Sequence, residues 1–456
     1  MWFPKNKRLI QLMVAGFVLR GLPLLIWINT WPCVRDECTY LRLAERMSAG
    51  QGMTSSVGWL WAPGYPALLA LSDFLTGWGS NIKIAQLIIS TLLIAFMFRV
   101  GKQISGDERV GLWAAGLYAL SPTQIFFAQS LWSECFYGGF LLLAFWLFNR
   151  LLELDEDVKK QLKLAFQIGA LVGVCVLFRG VATYMLPIFV VAVVWGKYRK
   201  IESWKQAGIL LLGTILVVTP YSVYISNKFN HRIVSDRTMG QMMWLGNNDF
   251  DPVTFDWGNG QLSRYEFKQH TDVGRKPCGS RKDAMDREDC QTENGKEWIR
   301  NNPEAFVRRM PLRVAQLLNP HSFLTRHLRW GYWRGLPQMV DEFLIVWNVL
   351  WSLTVLWLGV TGLCVWGRSS RGLLIGGILI YHVAAISVLA GLTRYRVPLE
   401  PLLMLYAAGI LADPKSSWNR FKGAKWRMAV WAVCAAAGIP LTLYFLPVGW
   451  VWWQHW

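Results

Sequence analysis

Charge is scarce in this chain, and acidic charge scarcest. Of 456 residues 17% are charged, with 29 Asp and Glu against 47 Lys and Arg, while 53% are hydrophobic. That balance excludes two or three ordinary soluble domains, whose surfaces need more polar residues. A small-residue cleavage site is also missing after the first apolar run. Lys5, Lys7 and Arg8 precede that run as they would in a signal peptide, but Trp31-Pro32-Cys33 follows it. It therefore reads as a retained helix. The chain has no convincing internal repeat, no low-complexity tract and no His cluster at metal-ligand spacing.

What is present is a series of apolar segments near the ~20 residues that cross a ~30 Å hydrocarbon core. The pattern predicts an all-α polytopic membrane protein with about eleven transmembrane helices. They fall at roughly 9–28, 82–99, 110–127, 132–149, 164–178, 181–196, 206–225, 341–366, 372–392, 397–412 and 427–449. With the N-terminus inside, the inner loops hold Arg99, Lys102 and Arg109, then Arg150, Lys159, Lys160 and Lys163, then Lys197, Arg199, Lys200 and Lys205. Arg368, Arg371, Lys415, Arg420, Lys422, Lys425 and Arg427 continue the series, so one orientation satisfies the positive-inside rule throughout. The net charge of +18 is thus an orientation signal and not a nucleic-acid footprint.

Two outer segments exceed a turn, 29–81 and 226–340. They divide the chain into an N-terminal transmembrane module over 1–225 that includes the first outer loop, a large outer loop or lid over 226–340, and C-terminal helices over 341–456. The run from Glu37 to Ala49 sets Tyr40, Leu41, Leu43, Ala44 and Met47 against Arg42, Glu45 and Arg46, a pattern suited to a helix in the interface plane. A short helix follows Pro66. Cys33, Cys38, Cys278 and Cys290 fall in outer segments and are candidates for two disulfides, Cys33 with Cys38 and Cys278 with Cys290.

Chemistry is sought at the outer helix ends. Arg35-Asp36-Glu37 lies close to the end of the first helix, where a carboxylate beside a low-dielectric wall can take a proton from an attacking hydroxyl. The plainer reading is a helix cap. Glu134, within Ser130-Leu131-Trp132-Ser133-Glu134, carries the same pair of readings. Arg179, Arg394 and Arg396 run against the inward charge bias, and the planar guanidinium suits a lipid phosphate; solvated interfacial arginines are the alternative. Arg20, His382 and Glu400 lie within or near spans, where helix-to-helix hydrogen bonding accounts for them as well as function does.

Asp36-Glu37-Cys38-Thr39-Tyr40 followed by Pro63-Gly64-Tyr65-Pro66, Ser121-Pro122 running on to Ser133-Glu134, and Arg394-Tyr395-Arg396-Val397-Pro398 together resemble motifs of the GT-C membrane glycosyltransferases. Within that superfamily the likeness is to the dolichyl-phosphate-mannose protein mannosyltransferase and aminoarabinose transferase group, and it touches roughly 1–225 and 341–412. The resemblance implies a GT-C fold, a polyprenyl-phosphate-sugar donor, inversion at the anomeric carbon, and a periplasmic or lumenal active site; the short inner loops and the lack of a recognisable eukaryotic sorting signal point to a bacterial inner membrane, with the site facing the periplasm. It makes Asp36 the base with Glu37 supporting it or exchanging roles. Arg179, Arg394, Tyr395 and Arg396 become the donor-phosphate site, and Glu134, Tyr40 and Tyr65 position acceptor or cation. Some relatives use a divalent cation, so metal use stays open, and no other cofactor is implied. The acceptor class, whether glycan, lipid or protein, is open too. The rivals are an O-antigen ligase or polymerase, which would lack the early Asp-Glu-x-x-Tyr, and a transporter, which would need discontinuous helices meeting at mid-membrane.

Overall fold

The computed structural model describes residues 6–27, 33–34, 36–53, 60–154, 157–196, 201–249, 278–281, 283–329, 336–367 and 369–444. Arg35, Trp257, Trp330 and Trp333, together with the inner-loop cations Lys197, Arg199, Lys200 and Arg368, lie outside them.

Helix α1 (Lys7–Trp27) leads to two short helices of the first outer loop, α2 (Asp36–Ser48) and α3 (Gly64–Thr76). Next come α4 (Ile82–Ser105), α5 (Glu108–Ala119), α6 (Pro122–Phe127), α7 (Glu134–Glu153), α8 (Val158–Phe178), α9 (Leu186–Gly196) and α10 (Ile201–Phe229). The large outer segment contributes α11 (Met239–Gly246), α12 (Ala284–Asn301), α13 (Pro303–Leu318) and α14 (Phe323–Arg329). The chain returns through α15 (Gln338–Trp366), α16 (Ser369–Val388), α17 (Glu400–Ala412), α18 (Pro414–Lys422) and α19 (Lys425–Tyr444).

The expected spans overlap these helices, that at 110–127 being divided between α5 and α6 and that at 427–449 being described only to Tyr444. Among the described residues eight helices are long and apolar enough to cross a membrane, and the chain is a multi-pass membrane protein. The three shorter ones depart from expectation for local reasons. The run expected to continue to 127 stops at Ala119 because Pro122 cannot donate into the helix and Ser121 Oγ caps the next turn, accepting from Gln124 N at 3.3 Å. Arg20 completes that stop. It is wholly buried in α1, and its guanidinium donates to the terminal carbonyls of Tyr118 and Ala119 at 2.9 Å each, so the costly intramembrane arginine is structural glue. Near 180 and 396 the expected helices begin as 3₁₀ turns, Gly180–Met185 and Thr393–Leu399, the second containing Pro398.

The interfacial character expected of Glu37 to Ala49 belongs more to its neighbour. Helix α2 buries Glu37, Tyr40, Leu43 and Ala44, whereas α3 presents Leu71, Phe74 and Leu75 outward. Gly64, which opens α3, touches the end of α8 so closely that a Cβ there would lie 2.5 Å from Phe178 and 2.9 Å from the Leu177 carbonyl. Glycine at that position therefore brings the first outer loop against the Phe178-Arg179-Gly180 turn. Within the segment expected as a lid, α14 is buried beside α6 and α15 in the main core.

Candidate active site

Four chain segments converge on one cluster. Asp36 stands in the first turn of α2 and Glu134 in the first turn of α7; Arg179 follows α8 in extended conformation, and Arg394 lies in the 3₁₀ turn before α17. Glu134 Oε1 pairs with Arg179 Nη1 at 2.6 Å and with Arg394 Nε at 3.0 Å, while Arg394 Nη1 reaches Asp36 Oδ2 at 2.6 Å. The result is an alternating chain, Arg179 to Glu134 to Arg394 to Asp36, whose charges cancel.

The cluster sits in an aromatic frame. The Arg394 guanidinium lies 5.3 Å from the centre of the Trp132 ring, and Arg179 lies 5.3 Å from that of Tyr395. Burial works against the Arg394 charge, but Glu134 and Asp36 outweigh it and hold the group firmly protonated. The Glu134 side chain is 1% exposed and that of Asp36 32%, so of the two carboxylates Asp36 is the one an incoming hydroxyl can reach. Ser133 makes no side-chain capping bond to α7, and Glu134, in the first turn of that helix, directs Oε1 to the two arginines.

Glu37 faces the other way. Its Oε2 accepts from Val34 N at 3.0 Å and its Oε1 from Leu131 N at 2.8 Å, and it is fully buried. The first contact holds the residues just before α2 against its first turn, and the second ties the first outer loop to the turn that carries Glu134. Burial pushes its carboxyl above the usual range, against the pull of Lys83 and the two backbone N–H groups.

Arg396 also leaves the cluster. It pairs with Glu400 at 3.2 Å and donates to the carbonyls of Leu317 and Asn319 at 3.1 and 2.8 Å, fastening the end of α13. Tyr65 is buried with its hydroxyl on Gln86 Oε1 at 2.8 Å, and Tyr40 packs against Trp61 and Tyr65 while lying close enough to Arg394, Glu134, Asp36 and Arg179 to interact with their charges. The Tyr395 hydroxyl points to Met242 Sδ at 3.4 Å. His382 bonds the Ile378 carbonyl in its own helix. Disulfides join Cys33 to Cys38, just before and within the first turn of α2, and Cys278 to Cys290.

Among the described residues no three His, Cys, Asp or Glu side chains gather as a metal site. Asp36 and Glu134 are separated by the guanidinium that both already hold, a donor set that does not fit a divalent cation. Sequence reasoning missed Trp132, hidden among 27 tryptophans, and Asp236. Asp236 Oδ2 accepts from Gly180 N at 3.2 Å and nothing local in the sequence marks it.

Residues 62–225 match the family model of dolichyl-phosphate-mannose-protein mannosyltransferase. No curated protein matches the chain. Among solved structures, the archaeal oligosaccharyltransferase AglB from Archaeoglobus fulgidus, in complex with an inhibitory peptide and a dolichol-phosphate, is similar at 13% identity and TM-score 0.50, over 98% of this chain and 56% of that one. A second structure of the Archaeoglobus fulgidus enzyme, with zinc and sulfate, gives 14% identity and 0.50 over 98% and 53%. ArnT from Cupriavidus metallidurans bound to undecaprenyl phosphate gives 12% and 0.41 over 90% and 79%. At such identities the oligosaccharyltransferase likeness speaks for the fold, and this chain spans just over half the length of those enzymes. The chain has the GT-C fold, and its resemblance to GT-C glycosyltransferases holds both in the sequence of 62–225 and in architecture.

Proposed function

We propose that this protein is an inverting glycosyltransferase that moves a sugar from a polyprenyl-phosphate carrier to an acceptor hydroxyl at the outer membrane–water interface. The observation that carries the reading is the chain of contacts from Asp36 through Arg394 and Glu134 to Arg179 at the helix ends. Two arginines held beside an apolar helical wall suit a lipid phosphate, and AglB, which shares the fold, was captured with a dolichol-phosphate.

In this reading the donor phosphate docks against Arg179 and Arg394, while Glu134 keeps both guanidiniums oriented. The phosphate competes with Asp36 for Arg394, so donor binding releases the carboxylate that the resting site holds in an ion pair. Asp36 then accepts the proton of the acceptor hydroxyl as its oxygen bonds to the anomeric carbon. The bond from that carbon to the phosphate oxygen breaks, and polyprenyl phosphate leaves with its charge on the arginines. Attack opposite the leaving group inverts the anomeric centre. Glu37 supports Asp36 from behind by fixing α2, and no step is routed through a cation. The outer segment formed by α11 to α13 covers the site as a lid. The chain's basic inner loops match a bacterial inner membrane with the site facing the periplasm.

The test is transfer from a panel of radiolabelled polyprenyl-phosphate sugars by purified wild type and Asp36→Asn, with membrane extract as acceptor. Transfer by wild type, lost in a folded Asp36→Asn, supports the reading. Failure of wild type with every donor, accompanied by solute transport in proteoliposomes, sinks it.

A further inference from the structure

The stretch after α10 forms a strap across the outer end of the molecule. Leu60 and Arg237 exchange backbone hydrogen bonds, Arg237 N to Leu60 O at 2.8 Å and Leu60 N to Arg237 O at 3.4 Å. The Arg237 side chain pairs with Glu288 and Asp289 of α12, donating through Nε to Glu288 Oε2 at 2.9 Å. Glu288 Oε1 in turn accepts from Gly240 N at 2.7 Å. The strap thus binds the first outer loop to the helices of the large outer segment. Asp236, one residue before Arg237, turns toward the site, where its carboxylate accepts from Gly180 N at 3.2 Å. The fit is close, since a Cβ on Gly180 would lie 2.2 Å from Asp236 Oδ1. Gly180 directly follows Arg179.

We infer that Asp236 is a positioning residue for the donor phosphate: by clasping the Arg179-Gly180 turn it sets where the Arg179 guanidinium points, and it passes the placement of the outer helices to the site. The inference rests on Arg179 binding the donor, as proposed above. The groups facing Asp236 are Arg179 beyond α8, Glu288 of α12, Tyr221 of α10 and the hydroxyl of Thr238 on the strap itself. Burial pushes the Asp236 carboxyl up to about 6, against the pull of the Gly180 N–H and Arg179. As pH falls through that value the carboxylate loses its charge and the clasp weakens, so the donor KM rises toward acid pH. A sugar phosphodiester keeps its single charge over the same range and adds no limb of its own.

The experiment measures donor KM and kcat from pH 5 to 8 for wild type, Asp236→Asn, Arg237→Gln and Arg179→Gln, with melting in detergent as the fold check. Asp236→Asn is expected to raise donor KM about fivefold at pH 7.5, to leave kcat within about twofold and to remove the acid rise in KM. Arg237→Gln, which loosens the strap without touching Asp236, is expected to raise KM by less and to keep the acid rise. An Asp236→Asn protein with wild-type KM and an unchanged acid rise overturns the inference, provided Arg179→Gln raises donor KM. If Arg179→Gln leaves donor KM unchanged, the phosphate site itself is wrong and the inference falls with it.

Discussion

Arg394 Nη1 lies 2.6 Å from Asp36 Oδ2 although 358 residues separate them in the chain. The contact joins the candidate base to the arginine proposed to hold the donor phosphate. Asp36→Asn keeps the shape and a hydrogen-bonding oxygen for Arg394, which retains Glu134 as its second partner. Transfer is expected to fall by about 10²–10⁴-fold while melting stays near wild type and the donor binds at least as tightly, because a neutral amide competes less than a carboxylate for Arg394. Parallel loss of melting temperature and activity would make Asp36 structural instead.

Glu134 sets the opposite expectation. With its side chain 1% exposed and shared by two guanidiniums, its removal takes the paired carboxylate from Arg179 and leaves Arg394 with Asp36 alone. Glu134→Ala should therefore cost about 3–5 kcal/mol of stability as well as activity. Chemical denaturation in detergent micelles measures it, and a cost under about 1 kcal/mol would contradict the buried network.

Glu37 carries a pH signature. Burial raises its carboxyl pKa in the folded protein above the unfolded value, so folding takes up a proton between the two values. Stability contributed by this group is fully present below the unfolded value and declines as pH rises toward the raised one. Glu37→Ala should lose about 3 kcal/mol at neutral pH, since two buried backbone N–H groups lose their acceptor, and should not show that decline. Melting curves of both proteins across pH 4 to 8 provide the comparison.

The Cys278–Cys290 bond closes a loop of 12 residues at the start of α12. Its loss through Cys290→Ser is expected to cost about 2–4 kcal/mol locally. Limited proteolysis should then cut sooner around α12, with the transmembrane core melting unchanged. Equal protease resistance with and without the bond would show that packing alone holds the helix.

How much of this was legible beforehand is clearest residue by residue. Apolar runs near ~20 residues announced the spanning helices, since a bilayer demands that length and internal backbone bonding whatever else the chain does. Arg179, Arg394, Asp36 and Glu134 were legible as a group because each sits at a helix end on one face. Their pairing was not, because ion pairs between distant segments leave no periodic trace. Asp36 and Glu37 are equivalent as letters, but successive helical residues point about 100° apart, so one faces the cluster and the other the core. Arg394 and Arg396 part company similarly, since a 3₁₀ turn has about three residues per turn and separates them around its axis.

By itself the sequence determined the membrane-spanning class and the pool of charged residues at the helix ends, because hydrophobic length and charge pattern act locally along the chain. Only the tertiary structure decided which of those charges meet. The Gly64 contact with the end of α8, the Arg20 lock on α5 and the clasp of Asp236 on Gly180 are set by close packing between segments far apart in the chain, and they bring four of the candidate residues together while turning Glu37 and Arg396 away.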